Sequence, residues 1–154
     1  MLIRPAIIVL ALLPTLGAAQ STDEKAALAT VQRIFDGMRT ADSAMARSGF
    51  AAGARFAEVD MRATPPAIKY DSVGGWIRAI ASSNRRWDEQ IYDVQVRVDG
   101  NIAQIWALYT FYLDKKLSHC GVDSFALLKD LSGWKITELS DTRRRENCPD
   151  PLAK

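Results

Sequence analysis

Apolar positions along this chain follow a helical period in its first half and a strand period in its second. Leu28, Val31, Phe35 and Met38 recur every three or four residues, which predicts an amphipathic helix from about Thr22 to Arg39. Ser21, with Glu24 three residues on, has the form of a capping box for its start. Asp42 is placed to cap a short second helix that stops near Gly49. Residues Ala54 to Met61 alternate weakly and predict a first strand, after which Pro65-Pro66 forces an irregular segment. Ser72 then opens a helix carrying Trp76, Ile77 and Ile80, with Gly74-Gly75 weakening its first turn.

From Trp87 the period becomes two. Tyr92, Val94, Val96 and Val98 fall on one face, and Glu89, Asp93, Gln95 and Arg97 on the other. Asp99-Gly100 is a strong hairpin signal. Beyond it come a long apolar and aromatic strand from Ile102 to Leu113, a turn at Asp114 to Lys116, and a strand from Leu117 to Lys129. A further turn at Asp130 to Gly133 leads to a last strand from Trp134 to Thr142. Helices followed by a four-strand antiparallel meander make the fold class α+β.

The N-terminus changes the picture of where such a domain works. Arg4, the apolar run Ile7 to Leu13, Pro14 and the small residues Gly17-Ala18-Ala19 form a secretory signal pattern, with cleavage expected after Ala19. The run is shorter than the roughly 20 residues a membrane-spanning helix needs, and no cysteine follows it to take a lipid anchor. A retained N-terminal anchor is the alternative. The expectation is a signal peptide over residues 1–19 and one domain over 20–154, periplasmic or secreted, with no membrane association after the signal is removed.

Charge excludes one class of partner. Twenty basic against eighteen acidic side chains leave a formal net charge of +2, which does not call for nucleic acid. The one basic run, Arg143-Arg144-Arg145, is followed by Glu146 and lacks an aromatic platform, so it reads as a solvated strand end. Cys120 and Cys148 are an even pair in an exported chain and are expected to form a disulfide. Closing that loop would stabilise the fold by roughly 3.5 kcal/mol in the chain-entropy model. A metal site or a reactive thiol is the alternative. Zinc is disfavoured because His119 and Cys120 are adjacent on a strand and point to opposite faces.

Several stretches together resemble the nuclear transport factor two-like superfamily, in its SnoaL-like and lumazine-binding branch. They are the helical opening Val31 to Met38, the hairpin Val98-Asp99-Gly100-Asn101-Ile102-Ala103, the strand Trp106 to Leu113, Ser118 to Phe125, and Gly133 to Arg145 ending in Cys148-Pro149. The resemblance covers most of residues 22 to 149. It implies N-terminal helices packed on a strongly curved antiparallel sheet, a cone with a small-molecule ligand in its concave pocket, and a possible homodimer. The superfamily includes isomerases, cyclases, dehydratases, binding domains and transport adaptors, so the fold does not transfer an activity.

In such a cone the walls are inward side chains of the long strands. His119, Gly121, Asp123, Phe125 and Leu127 share a face that is polar at one end and apolar at the other, as a ligand wall requires. The facing residues depend on the turn. A two-residue turn at Asp114-Lys115 sets Thr110 opposite His119 and Trp106 opposite Asp123, while a three-residue turn sets Phe111 and Ala107 there. The first is favoured because it groups Trp106, Tyr112, His119 and Asp123 on one wall.

Asp123 and His119 are the candidate acid–base groups. Their Cα atoms stand about 13 Å apart along a strand, too far for a direct dyad, so each would meet a ligand or a neighbour such as Asp141 or Arg143. Trp106, Tyr112, Phe125 and Asp141 are the candidate ligand contacts. A carboxyl isolated in an apolar pocket has a raised pKa, which makes proton transfer near neutral pH possible. Three readings stay open: a binding domain for a small apolar or aromatic molecule, a cofactor-independent isomerase, lyase or dehydratase, and a structural or interaction protein whose pocket is collapsed by Trp and Tyr side chains. Neither a metal nor a cofactor is expected. No Gly-x-Ser-x-Gly elbow or glycine-rich phosphate loop is present.

Overall fold

The computed structural model describes residues 20–151, so the expected signal segment lies outside the described residues. Three helices, α1 (Thr22–Arg39), α2 (Ser43–Ser48) and α3 (Val73–Ser82), pack on six strands. These are β1 (Phe50–Asp60), β2 (Ala67–Ser72), β3 (Trp87–Asp99), β4 (Ile102–Leu113), β5 (Lys116–Asp130) and β6 (Gly133–Arg143). Spatial order is β2-β1-β6-β5-β4-β3 in a single sheet. The α+β class and the meander β3 to β6 stand as expected. The sheet as a whole is mixed, however, because β1 runs parallel to β6, and β2 adds an antiparallel edge strand where an irregular segment was expected.

Local signals account for the helix starts. The Ser21 hydroxyl accepts from the Glu24 amide at 3.1 Å and the Glu24 carboxylate accepts from the Ser21 amide at 2.6 Å, a reciprocal capping box. Asp42 accepts from the Met45 amide and Ser72 from the Gly75 amide, satisfying one orphan donor each at α2 and α3. The inner face of α1, with Ala27, Val31, Ile34, Phe35 and Met38, is buried against Ile105, Phe125, Leu127, Trp134 and Ile136 of the sheet. Fully burying side chains of this size contributes about 1.5–3 kcal/mol each, so this layer holds the helix on the sheet. No helix among the described residues is long and apolar enough to cross a membrane.

Three one-residue bulges decide which side chains the sheet turns inward. On β3 the register slips between Tyr92 and Gln95, with Asp93 at φ +51°. Val94, Val96 and Val98 still pack on the core, but the slip turns Glu89 and Ile91 inward as well and Tyr92 outward. On β5 the hairpin is the expected two-residue turn, with Asp114 and Lys115 both at positive φ, yet an extra residue at Ser118 shifts every later pair by one. On β6 an extra residue at Thr137 carries the inward phase from Trp134 and Ile136 to Leu139, Asp141 and Arg143.

The outer face of β4 and β5 is covered by the chain's C-terminal segment. Thr110 donates to the Pro149 carbonyl at 2.9 Å, and the Tyr112 hydroxyl donates to the Asp150 carboxylate. Cys120 on this face lies beside Cys148, their Cα atoms 5.5 Å apart and their sulfurs placed as a disulfide.

Candidate functional site

A cavity of about 370 Å³ opens between the helices and the inner face of the sheet. Phe35 and Met38 of α1, Trp76 and Ala79 of α3, and Trp87, Phe111, Leu113, Phe56 and Leu139 of the strands give it apolar walls. Glu58, Glu89, His119, Asp123, Asp141 and Arg143 give it a polar sector. That sector lies on β1, β3, β5 and β6, all turned the same way by the bulges. Asp123 stands opposite Asp141, which stands opposite Glu58.

The carboxyl groups in this sector do not behave alike. Asp123 is 3% exposed, and its Oδ2 is buried with no hydrogen-bond partner. Burial, then the charges of Glu89 and Asp141, push its pKa well above the usual carboxylate range. The Glu89 carboxyl lies within hydrogen-bonding reach of it, and burial raises Glu89 to about 7 while the Asp123 contact holds it down. Two buried carboxyls that feel each other's charge resist ionising together, so their titrations are coupled.

Asp141 has a different setting. It accepts from the Arg143 Nε at 2.8 Å, and the Arg143 Nη2 reaches Glu58 at 2.7 Å. Burial works against the Arg143 guanidinium, and Asp141 and Glu58 outweigh it, keeping its pKa raised. The Tyr109 hydroxyl donates to the Thr142 carbonyl at 2.9 Å and touches Asp141 at 3.4 Å. Burial, followed by the surrounding carboxylates, raises its pKa, so it stays a phenol. His119 lies against Phe111, ring centroids 4.9 Å apart, with its Nδ1 on the Ser118 hydroxyl at 3.1 Å. Burial, then Arg143, Arg62 and Arg145, lower its pKa to about 4, so the imidazole is neutral near pH 7.

Asp123, His119 and Asp141 therefore come together in one cavity, while the remaining candidates do not. Trp106 faces the outer side of the sheet opposite Ser124 and is 47% exposed. Tyr112 lies on that same outer side beneath the C-terminal segment. The grouping of Trp106 and Tyr112 with His119 and Asp123 is thus corrected: the Ser118 bulge places Phe111 and Ala107 opposite His119 and Asp123 despite the two-residue turn. Phe125 is fully buried beneath the cavity, edge-on to Phe35 at 6.0 Å, and serves the core. Arg143 is corrected too, from a solvated strand end to a paired cation in the site.

Glu89 is the functional candidate that the alternation pattern hides. With Val94, Val96 and Val98 inward, unbroken alternation puts Glu89 outside. The available signal was Asp93, a weak strand former that tolerates positive φ, in mid-strand. Among the described residues no group of three or more His, Cys, Asp or Glu side chains is arranged to hold a metal ion.

Solved structures place this geometry among known folds. No protein-family model and no curated protein matches the chain. An NTF2-like protein of unknown function from Shewanella baltica superposes with a TM-score of 0.60 at 17% identity, over 79% of this chain and 94% of that one. An NTF2-like protein with a cystatin-like fold from Novosphingobium aromaticivorans gives 0.61 at 11% identity, over 81% and 84%. A candidate dehydratase of the NTF2-like family from Streptomyces avermitilis gives 0.61 at 15% identity, over 80% and 97%. At these identities the likeness concerns architecture, and the order of helices and strands agrees with it: the chain has the nuclear transport factor two-like fold.

Proposed function

We propose that the mature protein takes a small, apolar or aromatic molecule into the cavity between α1, α3 and the sheet. The observation that carries this is a cavity of about 370 Å³ with aromatic walls and a buried polar end. The protonated carboxyl pair Glu89–Asp123 favours a second, stronger reading, in which the same pocket performs cofactor-independent proton transfer. One carboxylate withdraws a proton from the bound molecule, and the carboxylic acid beside it supplies a hydrogen bond to developing negative charge. Asp123 and Glu89 hold the proton in this reading, and neutral His119 orients the ligand. The solved structure of the candidate dehydratase is in keeping with such chemistry.

A single neutral probe tests both readings. 5-Nitrobenzisoxazole is a flat aromatic molecule whose ring opens when a carboxylate removes its C3 proton and the N–O bond breaks. Ala79→Trp fills the cavity from α3 and is expected to abolish binding measured by calorimetry, without loss of the folded state. Asp123→Asn is expected to reduce the ring-opening rate by about 10²–10⁴-fold. Binding unchanged in Ala79→Trp would sink the pocket reading. Binding with no turnover above buffer catalysis would sink the enzyme reading alone.

Export and the disulfide belong to the same proposal. The signal pattern over residues 1–19 and the placement of Cys120 beside Cys148 support both. The intact mass of protein secreted by a native-like host is expected to correspond to a start at Gln20 and to lack two hydrogens, regained on reduction. An intact Met1 or two free thiols on unreduced protein would refute the corresponding half.

A further inference from the structure

The charge of the cavity is unbalanced. Glu58, Asp71, Glu89, Asp123 and Asp141 reach it, against one guanidinium, Arg143. That guanidinium is already held between Asp141 at 2.8 Å and Glu58 at 2.7 Å. His119, the remaining basic side chain on the lining, is neutral near pH 7. Among the described residues no cation pairs with Glu89, Asp123 or Asp71.

A second observation turns this excess of acid into a ligand argument. Asp123 is 3% exposed, lines the cavity, and presents a buried Oδ2 that accepts no hydrogen bond. A buried acceptor without a donor is costly and rare in native proteins, and the residue that carries it is part of the cavity lining. The acceptors are not arranged as a metal-binding set. The aromatic side chains Trp76, Trp87 and Phe111 line the same cavity, and ring faces attract an organic cation where water is displaced.

We propose that the pocket selects an organic cation, a protonated amine carried on an apolar or aromatic body, with its ammonium group against the carboxyls of Asp123 and Glu89. An ammonium brings up to three donors and a positive charge to a place where acceptors outnumber the protons the carboxyl pair retains and acidic groups outnumber basic ones. A carboxylate ligand would face uncompensated acids instead. A neutral ligand fills the apolar part but leaves the charge excess unanswered. This assignment rests on the reading of the cavity as a ligand site and adds the ligand's charge class to it.

Three probes of one shape decide it: 2-naphthylmethylamine, 2-naphthylmethanol and 2-naphthoic acid, titrated calorimetrically at pH 7 and low salt. The amine is expected to bind about 10-fold or more tighter than the alcohol, and the alcohol tighter than the acid. In Asp123→Asn, which keeps the shape of the side chain, the ratio of amine to alcohol affinity is expected to fall toward one. An alcohol or acid that binds as well as the amine would overturn the charge assignment and leave the pocket reading standing. An amine preference undiminished in both Asp123→Asn and Glu89→Gln would overturn the location. Failure of all three probes would overturn both readings together.

Discussion

Replacing Gly121 by alanine is expected to lower the unfolding free energy by about 4 kcal/mol or more, beyond the usual range for a single added methyl. Gly121 sits on the inner face of β5 opposite Tyr109, where the Thr142 backbone of the neighbouring strand β6 comes close to it. A Cβ built there would lie 1.8 Å from the Thr142 carbonyl oxygen and 2.9 Å from the Tyr109 ring. That carbonyl is the acceptor of the Tyr109 hydroxyl, and the Thr142 hydroxyl accepts from the Val122 amide at 3.1 Å. No flexible side chain can yield, so the backbone of β6 must withdraw. The movement would also pull Asp141 and Arg143 away from Asp123. Urea unfolding compared with wild type measures the loss, and a change below 1 kcal/mol would show that the close approach of β5 and β6 at this point is wrong.

Glu89→Gln is expected to act in the opposite direction, and only at higher pH. Glu89 has a folded pKa of about 7, above its ordinary value of 4.5. The folded state therefore holds a proton that the unfolded chain releases between those values. Stability from this group is fully present below about pH 4.5 and is lost as pH rises through 7, at a cost of roughly 3 kcal/mol. Glutamine keeps the hydrogen-bonding shape of the protonated acid and cannot ionise, so the variant should exceed wild type in stability at pH 8 and match it near pH 4. His119 contributes the acid limb. Its folded pKa of about 4 lies below the ordinary 6.5, so its contribution is present above pH 6.5 and lost as pH falls through 4. The two limbs place the stability maximum of the wild type between them, and urea midpoints across pH 4 to 8 trace both. A Glu89→Gln curve parallel to wild type would show that Glu89 ionises as freely as a surface carboxylate.

Both effects depend on where the sheet departs from regular alternation, and that is also where sequence reasoning stopped. The helix α1 and its capping box were legible because Leu28, Val31, Phe35 and Met38 carry one period and Ser21 with Glu24 carries one local bond pattern. The meander was legible because Asp99-Gly100 is a strong turn signal and the polar run Asp114-Lys115-Lys116 interrupts two apolar strands. Strand β2 carried no such signal: its residues are exposed throughout and follow Pro65-Pro66, so neither alternation nor burial marks it. Its pairing with β1, and the parallel pairing of β1 with β6, are long-range contacts that no local pattern encodes.

For the site the limit was one residue of register. His119 and Asp123 were found because β5 runs without interruption from His119 through Ala126 in its pairing with β4. Asp141 was found as a neighbour of Asp123, but its inward direction requires the Thr137 bulge. Glu89 was missed because the Asp93 bulge lies between it and the valines that define the core face. Trp106 and Tyr112 were misplaced by the Ser118 bulge, which offsets a correctly read turn. In each case a polar residue within the strand, Asp93, Ser118 or Thr137, marks the slip. A bulge conserves the hydrophobic face on one side of itself while exchanging faces on the other.

Glu89 and Asp123, at the polar end of the cavity, are the coupled carboxyl pair on which the proton-transfer reading rests. Carboxyl carbon NMR across pH 3 to 9, with Asp123→Asn and Glu89→Gln to assign the signals, follows both titrations. The expected result is that both carboxyls titrate above the ordinary carboxylate range, that Glu89 stays protonated to about pH 7, and that removing either partner shifts the titration of the other. Two independent carboxyl titrations near pH 4, unchanged by mutation of the neighbour, would contradict it.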